Sequence, residues 1–222
     1  MAKRTATIIG ATGLVGSHLL EILEEDAYFS NIRLLVRRPM EYKQSKTEVK
    51  LIDFSDAESF KLGIDGSDVV FCAVGTTQKK VKGDKAAYRK VDYDIPVHAA
   101  QYCKETGCEQ FLLVSAVGAN KESNNFYLKL KGEAEEGVAD SKVNSISIFR
   151  PSMIMGERKE KRTGEAIGKM IMQPLSFLLA GRLSRLKPIH ARDIAKAMAE
   201  AAKRATPGVH YYEYNEMKRL LR

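Results

Sequence analysis

The chain reads as an α/β fold built on a doubly wound parallel sheet, and three observations carry that expectation. Short apolar runs rich in β-branched residues alternate with longer runs of helical spacing. Those short runs are apolar at nearly every position, as strands covered on both faces must be. The first of them passes through a glycine-rich turn, "GATGLVG", directly into an amphipathic segment. Right-handed crossovers then leave a ligand crevice at the carboxyl edge of the sheet, where the strand order reverses.

Taken in order, "TATIIG" (5–10) is a buried strand ended by glycine. "LVGSHLLEILEE" follows with Leu14, Val15, Leu19, Leu20, Ile22 and Leu23 spaced for a helix packed on a sheet. "IRLLVRR" (32–38) is a second strand, stopped by Pro39. "VKLIDF" (49–54) is a third, with Ser55 or Asp56 placed to cap a short helix. "SDVVFCAVG" (67–75) is a fourth. Residues 84–106 have a helical pattern in which Pro96 marks a start or kink, Asp94 is placed to cap a restart, and Gly107 ends the element. "QFLLVSAVG" (110–118), "NNFYLKLKGEAEEGV" (124–138) and "SISIFRP" (145–151) give a fifth strand, a helix and a sixth strand. An apolar, methionine-bearing stretch and the amphipathic "ARDIAKAMAEAAKR" complete the C-terminal third.

With 222 residues, 44% hydrophobic and 29% charged, the chain is expected to form one globular domain over 1–222. Residues 152–190 are expected to supply a substrate-side subregion. Cys72, Cys103 and Cys108 show neither a disulfide framework nor metal-ligand spacing, so a reducing compartment is expected and no metal site. No stretch reaches the roughly 20 apolar residues of a membrane span. The apolar run after the basic start is too short for a signal peptide, and a cytoplasmic location is the expectation. The net charge of +8 is scattered, including the basic run 78–85, and lacks the aromatic-studded stripe of a nucleic-acid surface.

The trio Gly10, Gly13 and Gly16 sits between strand and helix, where glycine permits the turn and lets a backbone approach a pyrophosphate. The helix amino end then offers free N–H groups and the positive end of its dipole. Thr12 adds a hydroxyl. A tight turn without a ligand is the plainer alternative. At the end of the second strand, where an NAD site would usually place an acid, stand Arg37 and Arg38. Two guanidinium groups suit a 2′-phosphate, so NADP(H) is expected over NAD(H), with a solvated loop as the alternative.

Tyr127 and Lys131 lie four residues apart, one turn along a helix face. The ammonium is expected to lower the tyrosine pKa and so suit Tyr127 to general acid–base work on a carbonyl. A packing tyrosine beside a solvated lysine is the alternative. Together "GATGLVG", "LLVRRP", "DVVFCAVGTT", "YRKVDYDIP", "LLVSAVGANKESNNFYLKLKGEAEE", "FRPSMIMGER" and "PIHARDIAKAM" cover most of the chain. In this order they resemble the short-chain dehydrogenase/reductase superfamily, in particular atypical members of the Tat-interacting-protein type, with NmrA-like sensors as broader relatives.

The resemblance implies a Rossmann domain with a small C-terminal substrate region. It places Gly10, Thr12, Gly13, Leu14, Val15 and Gly16 at the pyrophosphate and Arg37 and Arg38 at the 2′-phosphate. Asp53 and Phe54 flank adenine, and Val74, Gly75 and Thr76 line the ribose and nicotinamide. Tyr127 and Lys131 form the reaction pair and also border the cofactor, Lys131 at the nicotinamide ribose, while Pro151, Met153 and Ile154, within "RPSMI", lie beside the nicotinamide. Two positions depart from the pattern. Val117 stands where the carbonyl-orienting serine belongs, leaving Ser115 to serve, and Val91-Asp92 stands where many extended members read Val-Asn. Both departures bear on catalysis and not on cofactor binding.

Residues 167–189 mix methionine, leucine and basic side chains, as a substrate mouth, a lid, a dimer contact, a membrane-surface helix or plain core would. His190 reads as a packed or capping residue, and Asp193 as part of a helix start. The leading expectation is an NADP(H)-dependent oxidoreductase acting on a small carbonyl substrate. The alternative is an NADP(H)-binding redox sensor that regulates a protein partner without turnover.

Overall fold

The computed structural model describes residues 4–156 and 181–222. Nearly every apolar run becomes a strand. They are β1 (Thr5–Ile9), β2 (Asn31–Val36), β3 (Thr47–Leu51), β4 (Val69–Cys72), β5 (Gln110–Val114) and β6 (Ser145–Phe149). With β9 (Gly208–Tyr212) they form a seven-stranded sheet in the order β3-β2-β1-β4-β5-β6-β9, and every pairing is parallel. The order reverses between β1 and β4, so the loops leaving those two strands flank the crevice that such sheets use for ligands.

The helices cover both faces. On one side α1 (Leu14–Glu25), α6 (Ala191–Arg204) and α7 (Tyr214–Leu220) pack over a core that includes Leu19, Phe29, Phe71, Phe149 and Met198. On the other, α2 (Ala57–Ile64), α4 (Ile95–Glu105) and α5 (Phe126–Asp140) enclose Phe60, Cys103, Phe111 and Val138. Each fully buried large apolar side chain contributes about 2–3 kcal/mol, so the two cores, and not the loops, hold the edge of the sheet in place. The alanine-rich face of α6, with Ala191, Ala195, Ala197 and Ala201 buried, packs directly beside α1.

Local signals match the elements closely, with three differences. Asp56 does cap α2, accepting from the N–H groups of Glu58 and Ser59, and Gly107, in a left-handed conformation, follows α4. The segment 84–106 does not restart at Asp94. It runs from α3 (Lys85–Arg89) through a wide π-helical turn, Lys90–Asp94, into α4, and Asp94 makes no side-chain cap. The third strand lies two residues earlier than the apolar reading of 49–54. β9 and α7 escape that reading altogether: β9 is the last strand of the sheet and leaves Val209 and Tyr211 exposed, so no continuous apolar run marks it. It is held to β6 by register from Ser145↔Gly208 to Phe149↔Tyr212, and the Phe149 and Tyr212 rings stack at 4.9 Å.

Beyond β6, β7 (Ile154–Met155) pairs in parallel with β8 (Ile189–His190). The Ser152 hydroxyl donates to the Leu186 carbonyl at 2.8 Å, tying the two flanks of this small ladder together. Most of the methionine-bearing stretch 167–189 lies outside the described residues. His190 occupies the N-cap position of α6 without capping through its side chain, and Asp193 in the first turn pairs with Lys218 at 2.9 Å.

Candidate functional site

The turn after β1 is made almost wholly of main chain. Gly10 has φ +93°, and a Cβ there would lie 2.8 Å from the Ala73 carbonyl group in the loop after β4. A Cβ on Gly16 would fall on the Gly10 carbonyl oxygen, so α1 can seat against this turn only with glycine at that position. Gly13 is the N-cap of α1 and no side chain caps the helix, while its own N–H donates to the Gly10 carbonyl at 2.9 Å. The first N–H groups of a twelve-residue helix therefore face outward at the crevice with no acid in the first turn. Such a bare, positively polarised surface fits a pyrophosphate. Thr12 is exposed beside it, Leu14 reaches over to Gly156, and Val15 is buried, leaving only its main chain to face a ligand.

Arg37 and Arg38 follow β2 as exposed side chains and make no hydrogen bond or ion pair with any described residue. Beyond β3, Asp53 is engaged locally: it accepts from the Ser55 N–H at 2.9 Å and the Ser55 hydroxyl at 2.6 Å, which hold its carboxyl below the usual range. Phe54 packs edge-on against Phe60. Val74, Gly75 and Thr76 form the strap that leaves β4. Pro151, Met153 and Ile154 follow β6, and the Pro151 carbonyl accepts from Val117 N–H at 2.9 Å. All of these positions sit at one edge of the sheet, the carboxyl ends of its strands.

On α5 the reading of Tyr127 and Lys131 meets a third residue. Lys131 is 6% exposed, and its Nζ lies 2.9 Å from Asp92 Oδ1. Asp92 is 1% exposed, and its other oxygen accepts from the Thr76 N–H at 2.8 Å. The π-helical turn carries Asp92 inward at this point, an arrangement common where a helix serves a site. Asp92 was visible in the sequence only as a departure from a family pattern, and its two partners come from separate segments, the strap after β4 and α5. Burial works against the Lys131 ammonium, but the Asp92 carboxylate and the Tyr127 ring outweigh it and hold the lysine above its ordinary value.

Tyr127, 37% exposed, corrects the sequence expectation on one point. Lys131 does pull its pKa down, but desolvation is the larger effect and Asp92 adds to it, so the phenol is pushed up, away from neutral pH. Ser115, just beyond β5, is buried with its Oγ lacking a hydrogen-bond partner among the described residues. A buried hydroxyl without a partner is uncommon and suits a site that completes its hydrogen bonding with a ligand. Cys72 lies beneath the pair, its thiol pushed up to about 12 by burial. Cys103 and Cys108 are free and buried elsewhere.

The sequence pattern of the NAD(P)H-binding family matches residues 10–205. This chain belongs to the NAD(P)H-binding family. It is 34% identical over 207 residues to "Protein FMP52, mitochondrial" of Candida albicans, spanning 90% of this chain and 89% of that protein. It is also 33% identical over 172 residues to "Protein HTATIP2" of Rattus norvegicus, spanning 76% of this chain and 70% of that protein. These relatives bear out the resemblance to atypical short-chain dehydrogenase/reductases. Among solved structures, WbmH of Bordetella bronchiseptica in complex with NAD+ superposes with a TM-score of 0.72 at 16% identity, over 96% of this chain and 76% of that one. MoeE5 in complex with UDP-glucose and NAD gives 0.71 at 15% identity, over 96% and 79%. These two likenesses establish the Rossmann-like fold.

The cytoplasmic expectation is overturned by the relatives, several of which carry "mitochondrial" in their names. The physical cues behind it were weak: unpaired cysteines argue against an oxidising compartment without separating cytoplasm from mitochondrion. No helix among the described residues is long and apolar enough to cross a membrane.

Proposed function

We propose that this NAD(P)H-binding chain is an NADP(H)-dependent oxidoreductase that reduces a small carbonyl compound, with Tyr127 as proton donor. The observation that carries this reading is the placement of Tyr127 and Lys131 one helical turn apart on α5, at the same sheet edge as the bare amino end of α1. In this reading Gly10, Thr12, Gly13, Leu14, Val15 and Gly16 hold the pyrophosphate, and Arg37 and Arg38 grip the 2′-phosphate that separates NADP(H) from NAD(H). Asp53 and Phe54 border the adenine, and Val74, Gly75, Thr76, Pro151, Met153 and Ile154 border the nicotinamide end. Residues 1–222 act as one unit, with 152–190 on the substrate side, a division supported by the β7–β8 ladder.

Held by the glycine turn and the strap after β4, a dinucleotide would supply the hydride that the carbonyl carbon needs. Tyr127 gives its phenolic proton to the carbonyl oxygen, and the Lys131 ammonium stabilises the phenolate left behind. The unpartnered Ser115 hydroxyl donates a hydrogen bond to the same carbonyl oxygen and orients it. Tyr127 is protonated at neutral pH, as proton donation requires, and its raised pKa makes it a weaker acid than Lys131 alone would make it.

A panel of carbonyl compounds assayed with NADPH and NADH tests this reading. Turnover with NADPH that disappears in Tyr127→Phe supports it. Val117, apolar where the family places a serine, favours a second reading as an NADP(H)-binding regulator of a protein partner. Tight NADPH binding with no turnover across the panel, and a partner whose capture responds to NADPH, would select that one.

A further inference from the structure

Asp92 is the buried carboxylate that the proposed chemistry leaves without a role. We infer that Asp92 is a positioning residue: it anchors the Lys131 ammonium to the strap after β4 and offsets part of its charge beside Tyr127. The inference rests on the oxidoreductase reading for its consequence, but its physical content concerns this chain alone.

Three contacts support it. Asp92 Oδ1 meets Lys131 Nζ at 2.9 Å, Asp92 Oδ2 accepts from Thr76 N–H at 2.8 Å, and a Cβ added to Gly75 would approach the same carboxylate at 3.6 Å. The carboxylate thus joins the strap 75–76 to α5 through a bond to each. Both charged groups are almost fully buried, where an unpaired ammonium would be costly and would be screened less than at the surface. With asparagine at this position, as in many extended members of the superfamily, Lys131 would keep its charge uncompensated. The aspartate makes the pair net neutral.

Among the described residues, the charges that act on Tyr127 are Lys131 and Asp92. Its own helix also carries Lys129, exposed, and Glu133, which is paired with Arg89 of α3 at 2.6 Å. From the π-helical turn comes Asp92, and from β4 the Cys72 thiol, neutral because burial pushes it up to about 12. From α3, the ring of Tyr88 packs edge-on against Phe126, and Lys85 Nζ stands 5.3 Å from the same ring. Removing the Asp92 charge therefore leaves Lys131 as the charge acting on the phenol among the described residues, with desolvation still opposing it.

The test follows the ionisation of Tyr127 by NMR of the full chain carrying isotope-labelled tyrosine, with the resonance assigned by its loss in Tyr127→Phe. In Asp92→Asn the midpoint is expected to fall by about one pH unit or more, with the NADPH dissociation constant changed less than about threefold. An unmoved or raised midpoint in a folded Asp92→Asn overturns the inference. Where Asp92→Asn does not fold, Asp92→Asn/Lys131→Met removes both charges and is compared with Lys131→Met. The double variant is expected to titrate lower than Lys131→Met, and equal midpoints overturn the inference. Neither readout needs turnover, so a protein that reduces no carbonyl sinks the oxidoreductase reading while leaving this one to be judged on titration.

Discussion

Around β1 the candidate site is bounded by main chain, and around α5 it is built from buried side-chain charges. The turn 10–16 owes its shape to missing atoms: Cβ groups on Gly10 or Gly16 would collide with the carbonyls of Ala73 or Gly10. The α5 side owes its shape to a carboxylate and an ammonium, both buried and both bonded, from elements forty residues apart or nearly so in the chain. A backbone cradle recognises a phosphate through N–H groups whose polarity does not titrate. A buried ion pair beside a tyrosine can tune a proton. The two halves of one sheet edge are thus suited to different tasks, holding on one side and proton transfer on the other.

The largest expected effect falls on the α5 half alone. Tyr127→Phe should lower kcat/KM for carbonyl reduction by roughly 10²–10⁴-fold while leaving the NADPH dissociation constant unchanged. Equal losses in binding would show that the halves are not separable. In the wild type, reduction should hold steady across neutral pH and decline only above the ordinary tyrosine value of 10.0, because the folded pKa is raised.

Gly16→Ala attacks the cradle instead. The added Cβ meets backbone and not a flexible side chain, so a loss of about 3 kcal/mol in denaturant stability is expected together with weakened NADPH binding. A variant as stable as the parent would mean that α1 can lift from the turn freely. A milder separation comes from Arg37→Ala/Arg38→Ala, exposed and without partners among the described residues. NADPH should bind about tenfold or more weakly, NADH about as before, and the thermal midpoint should not move. Equal weakening of both cofactors would remove these arginines from the 2′-phosphate.

The smallest effect is a control lying outside both halves. Asp26, after α1, pairs with Lys203 of α6 at 2.7 Å. Burial opposes its carboxylate, but Lys203 and the Tyr28 N–H outweigh that and lower its pKa from 3.8. A lowered folded pKa contributes stability that is complete above the unfolded value and is lost as pH falls through the folded one. Asp26→Asn should therefore cost about 0.5–1 kcal/mol at neutral pH and nothing once the wild-type carboxyl is protonated. Chemical denaturation at the two pH values measures the difference, and cofactor binding should be indifferent to it.

Much of the first half was legible before any coordinates. The strand at 5–9, the glycines and the helix after them follow from local pattern, because Gly13 and Gly16 press on the Gly10 carbonyl within the same turn, although the demand on Gly10 itself comes from Ala73 after β4. The parallel sheet follows likewise from strands that are apolar on both faces, as β4, β5 and β6 are. β9 was missed because an edge strand is half wet and carries no continuous apolar run. A cue did exist just beyond it, since Glu213 and Glu216 form the reciprocal capping box that opens α7.

By itself, then, the amino-acid order determined the fold class, the family resemblance and the place of the glycine turn, all of which depend on short-range spacing. Only the tertiary structure decided what Asp92 touches and which way Tyr127 shifts. Those depend on burial and on a distance between residues 92, 127 and 131, and desolvation is a property of packing that no local pattern contains. In the sequence Asp92 is an acid in a helical stretch, between Val91 and Tyr93. In the fold it is the partner of Lys131.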